Sequence, residues 1–292
     1  MGWCTGESAR WPRIAATFPK IWAIFAPTLM SSRDAEPLVE LRNVRKAFGK
    51  QMVLDGVDLS IYPGEAIGIL GPSGTGKSTI LRIISGLILP DSGEVWVAGQ
   101  QRTAPITEQP NPFPINLVFQ QAALFDSLTV GENVGFYLYQ HTRLSPAEIE
   151  HYVACSLDSV GLPNIAHLMP SELSGGMRKR VSFARAIIST LLEESGGRSL
   201  ILYDEPTAGL DPIASTVVED LMRSLKQQQP QASYVVVTHQ ESTTRRTADR
   251  LILLYRGQVC WQGTAAALDE TDNIYVRQFL SGRIDGPIQV AT

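Results

Sequence analysis

Long hydrophobic runs are missing from this sequence of 292 residues. The nearest candidate, IWAIFAPTLM at 21–30, is about half as long as a membrane-spanning helix and contains Pro27. No transmembrane helix is therefore predicted, which excludes the classes of protein that are built on one.

Cysteine and an excess of positive charge are also missing. Cys4, Cys155 and Cys260 lie far apart, without the spacing of a metal site or a disulfide framework, which is typical of a reducing compartment. The 25 Lys and Arg residues do not outweigh the 29 Asp and Glu residues, and the net charge is −4. Because proteins that bind duplex nucleic acid usually carry a basic surface, we expect no nucleic-acid partner.

What the sequence does contain is an alternation of short apolar runs and amphipathic stretches, which is typical of an α/β fold. AIGIL (66–70) and SLILYDEP (199–206) include continuous apolar runs of the kind that form central strands covered on both faces. Further strands are predicted at 38–44, 93–100 and 233–239. No internal repeat is visible, so we expect one such domain, at 38–281.

A block of different character interrupts this alternation. Residues 128–172 are mostly helical in type, and the stretch from Ser145 opens with a hydroxyl cap, a proline and acidic residues. We expect an inserted helical subdomain at about 122–180, and a C-terminal tail at 282–292.

Residues 1–37 do not follow the α/β pattern, and we expect either a flexible extension or a wrongly assigned start. Three alternatives remain open: an amphipathic anchor on a membrane surface, a targeting or disordered tail, or a chain that begins at Met30. The last is favoured by MSSRDAEP, which reads as a natural polar N-terminus.

The segment GPSGTGKST follows the AIGIL strand directly and precedes a helical pattern. Glycines at this position let the backbone N–H groups curl around a phosphate chain, to which the positive end of the helix dipole adds. Lys77 would neutralise the outer phosphates, and Ser78 would be an oxygen ligand of Mg²⁺. A glycine-rich turn with a chance lysine is the disfavoured alternative. We expect a polyphosphate to be bound by Gly71, Pro72, Ser73, Gly74, Thr75, Gly76, Lys77, Ser78 and Thr79.

Two carboxylates end the second buried strand. We expect Asp204, at the strand tip, to help hold Mg²⁺. Glu205 is expected to point elsewhere and to polarise a water for in-line attack on the γ-phosphorus. An Asp-Glu pair at a strand end is by itself more often a solvated turn, so the catalytic interpretation depends on the glycine loop.

A third motif, LSGGMRKR at 173–180, joins the other two, and together they resemble the ATP-binding-cassette (ABC) ATPases. The resemblance extends over nearly the whole chain from about residue 38. It implies a P-loop NTPase fold of the α/β class, with an antiparallel β subdomain and an inserted helical subdomain. It also implies ATP and Mg²⁺ as ligands, and hydrolysis of ATP to ADP and phosphate.

The resemblance assigns a role to further residues. Phe48 matches the aromatic residue that stacks on adenine, and Gln120 matches the glutamine that contacts Mg²⁺ and the attacking water. His239 matches the switch histidine that contacts the γ-phosphate, although a lone histidine is more often structural. Within LSGGMRKR, the signature motif of the family is matched by Ser174, Gly175 and Gly176. The loop that crosses the dimer interface in the family is matched by Asp211.

One glycine loop and one signature in the chain imply, by the same resemblance, a head-to-tail homodimer with ATP between the loop of one copy and the signature of the other. The loss of the γ-phosphate would let the copies part. The membrane channel is expected on a separate permease, gripped by a groove with exposed aromatic residues. Candidates for that groove, each of which is alternatively a core residue, are Phe125, Phe136, Tyr137 and Tyr139.

Longer stretches, among them FQQAALFDSLTVGENVGF, resemble the ATPases of Mla-type phospholipid transporters and the branch of cyanobacteria and of the chloroplast trigalactosyldiacylglycerol lipid importer. TLLEESGGRS (190–199) and QFLSGRIDGPIQ (278–289) favour that branch. The resemblance implies lipid transport with a permease and a membrane-anchored lipid-binding subunit. The same resemblance implies that the protein is located at the cytoplasmic face of the inner membrane, or at the stromal face of the inner envelope in a plastid. Two alternatives remain: transport of another hydrophobic or small solute, and a soluble cassette ATPase without a transport role.

Overall fold

The computed structural model describes residues 36–191 and 198–289. Most of the expected N-terminal extension lies outside the described residues, as do the middle of the 190–199 segment and the last three residues of the expected tail. Within the described ranges, no helix is both long enough and apolar enough to cross a membrane.

Strands and helices alternate along most of the described chain. The strands are β1 (Val39–Phe48), β2 (Gln51–Ile61), β3 (Ala66–Leu70), β4 (Ser92–Val97), β5 (Gln100–Gln101), β6 (Ile115–Val118), β7 (Ser199–Asp204), β8 (Ala232–Val237), β9 (Arg250–Tyr255) and β10 (Gln258–Gly263). The α-helices are α1 (Lys77–Ser85), α2 (Val130–His141), α3 (Pro146–Ser159), α4 (Gly175–Ile187), α5 (Pro212–Gln228), α6 (Glu241–Thr247), α7 (Ala265–Glu270) and α8 (Ile274–Ser281).

A six-stranded sheet of order β10-β9-β3-β8-β7-β6 forms the centre of the fold, with β10 antiparallel and the other strands parallel. Every residue of β3, β7 and β8 is buried, as the continuous apolar runs predict for strands covered on both faces. Val237 of β8 lies opposite both Ile69 of β3 and Asp204 of β7. The carboxyl ends of these three strands therefore lie level with one another.

A four-stranded antiparallel sheet of order β2-β1-β4-β5 contains the strands predicted at 38–44 and 93–100. Its inner face shares one hydrophobic core with α1 and one face of the larger sheet. Ile80 and Ile83 of α1 are completely or almost completely buried there, which contributes about 1.5–3 kcal/mol for each side chain. This core fixes α1 between the two sheets, and with α1 the loop that precedes it.

The helices α2, α3 and α4 lie between β6 and β7 in the chain and pack around a second core. The cap predicted at Ser145 is present: its hydroxyl accepts from the N–H of Glu148, while the Glu148 carboxylate accepts from the N–H of Ser145. The expected end of the helical subdomain near residue 180 falls inside α4, which continues unbroken to Ile187. The bounds of that subdomain remain a proposal.

The chain after α8 folds back onto β9. The buried side chain of Gln278 binds the backbone of this segment, accepting from the N–H of Ile288 and donating to its carbonyl. The hydroxyl of Tyr255, at the end of β9, donates to the carbonyl of Pro287 and accepts from the N–H of Gln289. The C-terminal segment is thus fastened beside the strand end that borders the glycine loop.

Candidate functional site

The glycine loop connects β3 to α1 and is packed closely against neighbouring backbone. A Cβ atom at Gly71 would lie 2.2 Å from the carbonyl oxygen of Leu254, and one at Gly76 would lie 2.8 Å from the carbonyl oxygen of Val53. Gly76 also has a left-handed φ of +100° where it caps α1. Because real Cβ atoms do not approach so closely, only glycine fits at these two positions.

The crest of the loop is exposed at Ser73 and Gly74, whereas Thr75 and Thr79 are buried. Thr75 donates its hydroxyl to the carbonyl of Pro72 at 2.9 Å, which closes the loop on itself. Gly76 offers no side chain to cap α1, so the first N–H groups of that helix remain available to an anion.

Lys77 is the first residue of α1, and its side chain is almost fully buried. Its ammonium donates to the carbonyls of Gly71 and Pro72, at 2.8 and 2.9 Å. Burial lowers the pKa of Lys77, against the attraction of the Glu205 and Asp204 carboxylates. An ammonium that has already lost its water interacts strongly with any phosphate that reaches the loop.

Ser78 and Asp204 are in direct contact, since the hydroxyl of Ser78 donates to Oδ1 of Asp204 at 2.8 Å. Burial raises the pKa of Asp204, and the hydrogen bond from Ser78 opposes that rise. Within the described ranges, no cluster of three His, Cys, Asp or Glu side chains could hold a metal ion alone. The hydroxyl and carboxylate oxygens here suit Mg²⁺, which usually takes its remaining ligands from phosphates and water.

Glu205 begins the turn after β7 and has a left-handed backbone, with φ of +48°. Such a conformation costs about 1–3 kcal/mol for a non-glycine residue and is often found at functional sites. Oε1 of Glu205 lies 3.0 Å from Nδ1 of His239. Oε2 is buried and has no hydrogen-bond partner among the described residues. Buried polar atoms are nearly always hydrogen-bonded, so this oxygen is available to accept a hydrogen bond from a water or a ligand.

His239 lies two residues beyond the end of β8, because the strand predicted at 233–239 begins one residue earlier and ends two residues earlier than expected. Its side chain is about half exposed, in contrast to the buried Glu205 that it contacts. The next residue, Gln240, accepts a hydrogen bond from the hydroxyl of Thr207 at 3.3 Å. The segments after β7 and β8 are thus connected twice.

Gln120 is exposed and lies two residues after β6. Because Val118 of β6 is opposite Tyr203 of the parallel strand β7, Gln120 lies at the same edge of the sheet as Asp204. Phe48 belongs to the other sheet, at the end of β1, and half of its side chain is exposed. The partner strand β2 touches the glycine loop at Gly76, which brings the β1–β2 hairpin near that loop.

The remaining predicted residues open two other helices. Ser174 caps α4 and accepts from the N–H of Met177, while a Cβ atom at Gly175 or Gly176 would meet nothing within 4 Å. Asp211 caps α5 through Oδ1. Within the described part of the chain, no hydrogen bond joins these residues to the glycine loop. The structure therefore brings together Lys77, Ser78, Asp204, Glu205 and His239, while no residue within 36–191 or 198–289 covers the two glycines at the start of α4.

The aromatic side chains proposed for a docking groove are exposed rather than part of the core. Phe125 and Phe136 lie with their ring centroids 5.0 Å apart. Tyr137 and Tyr139 follow on the same helix, α2.

Sequence reasoning missed Lys179 and Arg185 on α4. The ammonium of Lys179 binds backbone carbonyls of the turn after Glu205, and the guanidinium of Arg185 donates to the carbonyls of Ala122 and Ala123, just after Gln120. The available signal was a pair of basic residues on a helix with a largely buried face. The pattern does not reveal their partners, which are main-chain atoms distant in sequence.

Comparison with known proteins finds a matching family, and relatives that include a transport-system protein and an ATP-binding cassette. The family described as ABC transporter matches residues 54–208, which is more than half of the chain. The chain is 50% identical over 265 residues to the protein trigalactosyldiacylglycerol 3, chloroplastic, of Arabidopsis thaliana, covering 88% of this chain and 77% of that protein. It is 37% identical over 255 residues to the intermembrane phospholipid transport system ATP-binding protein MlaF of Escherichia coli K12, covering 86% and 91%.

Among solved structures, the chain is similar to the ATP-binding cassette MJ0796, in a dimeric post-hydrolysis state bound to ADP and Pi. The sequence identity is 33% and the TM-score is 0.69. The match covers 77% of this chain and 98% of the other. The α/β architecture predicted from the sequence is thus that of a known cassette.

Proposed function

The chain belongs to the ABC transporter family, and from that premise we propose that it is the ATP-hydrolysing subunit of a transporter that moves lipid through a separate membrane permease. One observation carries the ATPase part of this proposal. Lys77, Ser78, Asp204 and Glu205 meet at the level carboxyl ends of β3, β7 and β8, beside the uncapped start of α1.

The glycine loop would bind the triphosphate of ATP. The N–H groups of the loop and of the first turn of α1 would surround the phosphates, and Lys77 would turn its ammonium from the loop carbonyls to the β and γ oxygens. Ser78, Asp204 and Gln120 supply the oxygen atoms that would hold Mg²⁺. When bound, Mg²⁺ would neutralise charge on the phosphates during the reaction. Phe48 would stack on the adenine.

Hydrolysis needs a base for the attacking water, and Glu205 has the properties required. One of its oxygens is held by His239, and the other is buried without a hydrogen-bond partner in the described part of the chain. The water oxygen forms a bond to the γ-phosphorus, the bond to the bridging oxygen breaks with its electron pair going to ADP, and Glu205 accepts the water proton. The products are ADP and inorganic phosphate. His239 would orient Glu205 and contact the γ-phosphate.

A second copy of the chain would complete each site. The open start of α4 at Gly175 and Gly176 has the anion-binding character of a helix N-terminus, and a Cβ atom at either glycine would meet no described residue within 4 Å. The dimeric state of the similar cassette bound to ADP and Pi supports such a pairing. Ser174 and the two glycines of one copy would face the γ-phosphate on the other copy, with Asp211 at the seam between them.

The lipid part of the proposal is supported by the two named relatives, the chloroplastic protein and the phospholipid transport ATP-binding protein. We place the chain at the cytoplasmic face of a membrane, or at the stromal face if it acts in a plastid. It would work with a permease that docks at the exposed aromatic residues near Phe125, and with a membrane-anchored lipid-binding subunit.

The test is ATP-driven lipid transfer by the assembled system. The chain would be co-purified with its membrane partner, reconstituted in vesicles that contain a fluorescent phospholipid, and assayed for lipid transfer with ATP, without ATP and with the Glu205→Gln chain. Transfer that requires both ATP and Glu205 is the expected result. ATP hydrolysis without lipid transfer, stimulated instead by a small polar solute, would overturn the lipid assignment and leave the ATPase assignment intact.

A further inference from the structure

The side chain of Lys179 crosses from α4 to the turn that carries Glu205. Its ammonium lies 2.6 Å from the carbonyl oxygen of Ala208, 3.0 Å from that of Pro206 and 3.5 Å from that of Glu205. An ammonium has three N–H donors, so this turn occupies all of them. The turn is closed by a hydrogen bond from the N–H of Ala208 to the carbonyl of Glu205, at 3.1 Å.

This contact holds a strained piece of backbone. The turn begins with the left-handed residue Glu205, a conformation that persists only where its surroundings impose it. Lys179 binds the turn from α4, and the hydroxyl of Thr207 binds it to Gln240 beyond β8. Removal of either support would allow the turn to relax, and the position of the Glu205 carboxylate would then change.

The contact also has an electrostatic cost. Lys179 is half buried, and burial lowers the pKa of its ammonium against the attraction of Glu205. A neutral donor would bind the same carbonyls with a smaller desolvation cost. The charged ammonium differs from such a donor in that it also attracts the carboxylate of Glu205, at the start of the turn that it binds.

Lys179 also lies close to the end of α4 that would face the second copy. It lies three residues after Gly176, about one turn from the open start of α4 where the second copy would present its nucleotide. A small shift of α4 toward that nucleotide would move the ammonium and, with it, the carbonyls that the ammonium binds.

We propose that Lys179 is a positioning residue that connects the two nucleotide sites of the pair: binding of one nucleotide at the start of α4 sets the Glu205 carboxylate at the other. The inference rests on the proposed function, since it needs a paired ATPase. It deepens that function by assigning the coupling between the two sites to one side chain of each copy.

The experiment compares steady-state ATP hydrolysis by the full chain and by Lys179→Met, which keeps the length of the side chain and removes the three donors. We expect kcat to fall about ten-fold, because a displaced catalytic group loses rate rather than affinity. KM and the Kd for a non-hydrolysable ATP analogue should stay within about two-fold. The proposed coupling predicts a Hill coefficient above 1 for the original chain, and in Lys179→Met this coefficient should fall to about 1.

Two further variants separate positioning from general damage to the fold. Lys226→Met makes the same chemical change at a lysine on α5 whose ammonium binds Asp249, and it should leave kcat and the Hill coefficient unchanged. Lys179→Arg keeps a charge and several donors, and it should restore kcat to within about three-fold of the original chain. If Lys179→Met does not fold, Lys179→Gln, which keeps two N–H donors, takes its place.

Three results would overturn the inference: an unchanged kcat and Hill coefficient in Lys179→Met, a loss expressed in KM rather than kcat, or an equal loss in Lys226→Met. An original chain without any ATPase activity would overturn the proposed function, and this inference with it. If the original chain and the Lys179→Met chain are equally active, the inference fails while the proposed function stands.

Discussion

Nδ1 of His239 lies 3.0 Å from Oε1 of Glu205, and this contact joins the segments that follow the neighbouring strands β7 and β8. It uses one oxygen of the carboxylate and leaves the other, Oε2, buried and without a partner among the described residues. The division of the carboxylate into a held oxygen and an available one is what a base for water activation requires.

The first prediction concerns that carboxylate. Glu205→Gln keeps the size of the side chain and removes the base, so ATP hydrolysis should fall by about 10²–10³-fold while ATP binding persists. The uncleaved triphosphate should then hold two copies together. Size exclusion with light scattering in the presence of ATP and Mg²⁺ should give twice the mass of the chain. A monomer under these conditions would count against Glu205 as the base.

The second prediction concerns the buried cation of the glycine loop. Lys77→Ala removes the ammonium, and ATP affinity should fall by about 10²-fold or more because a desolvated charge–phosphate contact is lost. The fold should persist, because burial of the charged ammonium, which lowers the pKa of Lys77, has a free-energy cost that the variant no longer carries. Titration with a fluorescent ATP analogue measures the affinity, with Lys226→Ala as the control. Unchanged binding would remove the loop from the mechanism.

The third prediction is a pH dependence that arises from Asp204. Burial raises the pKa of this group, so the folded protein retains a proton that the unfolded chain releases. The stability that this proton brings is complete below about pH 3.9, the ordinary value of Asp, and is lost as the pH rises through the raised pKa. At neutral pH, Asp204→Asn should therefore have a higher Tm than the original chain without nucleotide.

The comparison for Asp204 is made by thermal unfolding at several pH values. The Tm advantage of Asp204→Asn should shrink as the pH is lowered through the raised pKa and the original chain takes up its proton. Stabilisation by ATP should in contrast lose its dependence on Mg²⁺ in the variant. An advantage that is constant at all pH values would show that the charge of Asp204 is not its source.

The fourth prediction separates two kinds of glycine. Gly71→Ala places a Cβ atom 2.2 Å from the carbonyl oxygen of Leu254, so it should lower the free energy of unfolding by more than about 1 kcal/mol. Gly176→Ala meets nothing within 4 Å and should not lower it. Only the second variant should keep its fold and lose pairing in the presence of ATP. Urea unfolding and light scattering measure the two properties, and a Gly176→Ala chain that pairs normally would contradict the proposed seam.

Much of the larger sheet and of the phosphate loop was predictable because the signals are local. The apolar runs that became β3 and β7 are each five or six residues long, and the glycine loop follows one of them directly. Parallel strands place their carboxyl ends at one edge, so the proximity of Ser78 and Asp204 follows from two short motifs 126 residues apart.

The contacts of Lys179 and the conformation of Glu205 could not be read from the sequence. The partners of Lys179 are carbonyl oxygens, which every residue possesses, so nothing in the residue types from 205 to 208 marks them as acceptors. The left-handed backbone of Glu205 is imposed by tertiary contacts against the local preference of a glutamate. The binding of the C-terminal segment by Gln278 has the same origin.

The open pair Gly175 and Gly176 at the start of α4 has a genetic consequence. We consider a pair in which each reaction centre combines the glycine loop of one copy with the start of α4 from the other. If one copy carries a damaged loop and its partner carries a damaged α4, both damaged parts belong to the same centre. The other centre of that mixed pair is intact. A cell that expresses two such alleles, each inactive alone, should regain part of the activity by complementation within a single gene.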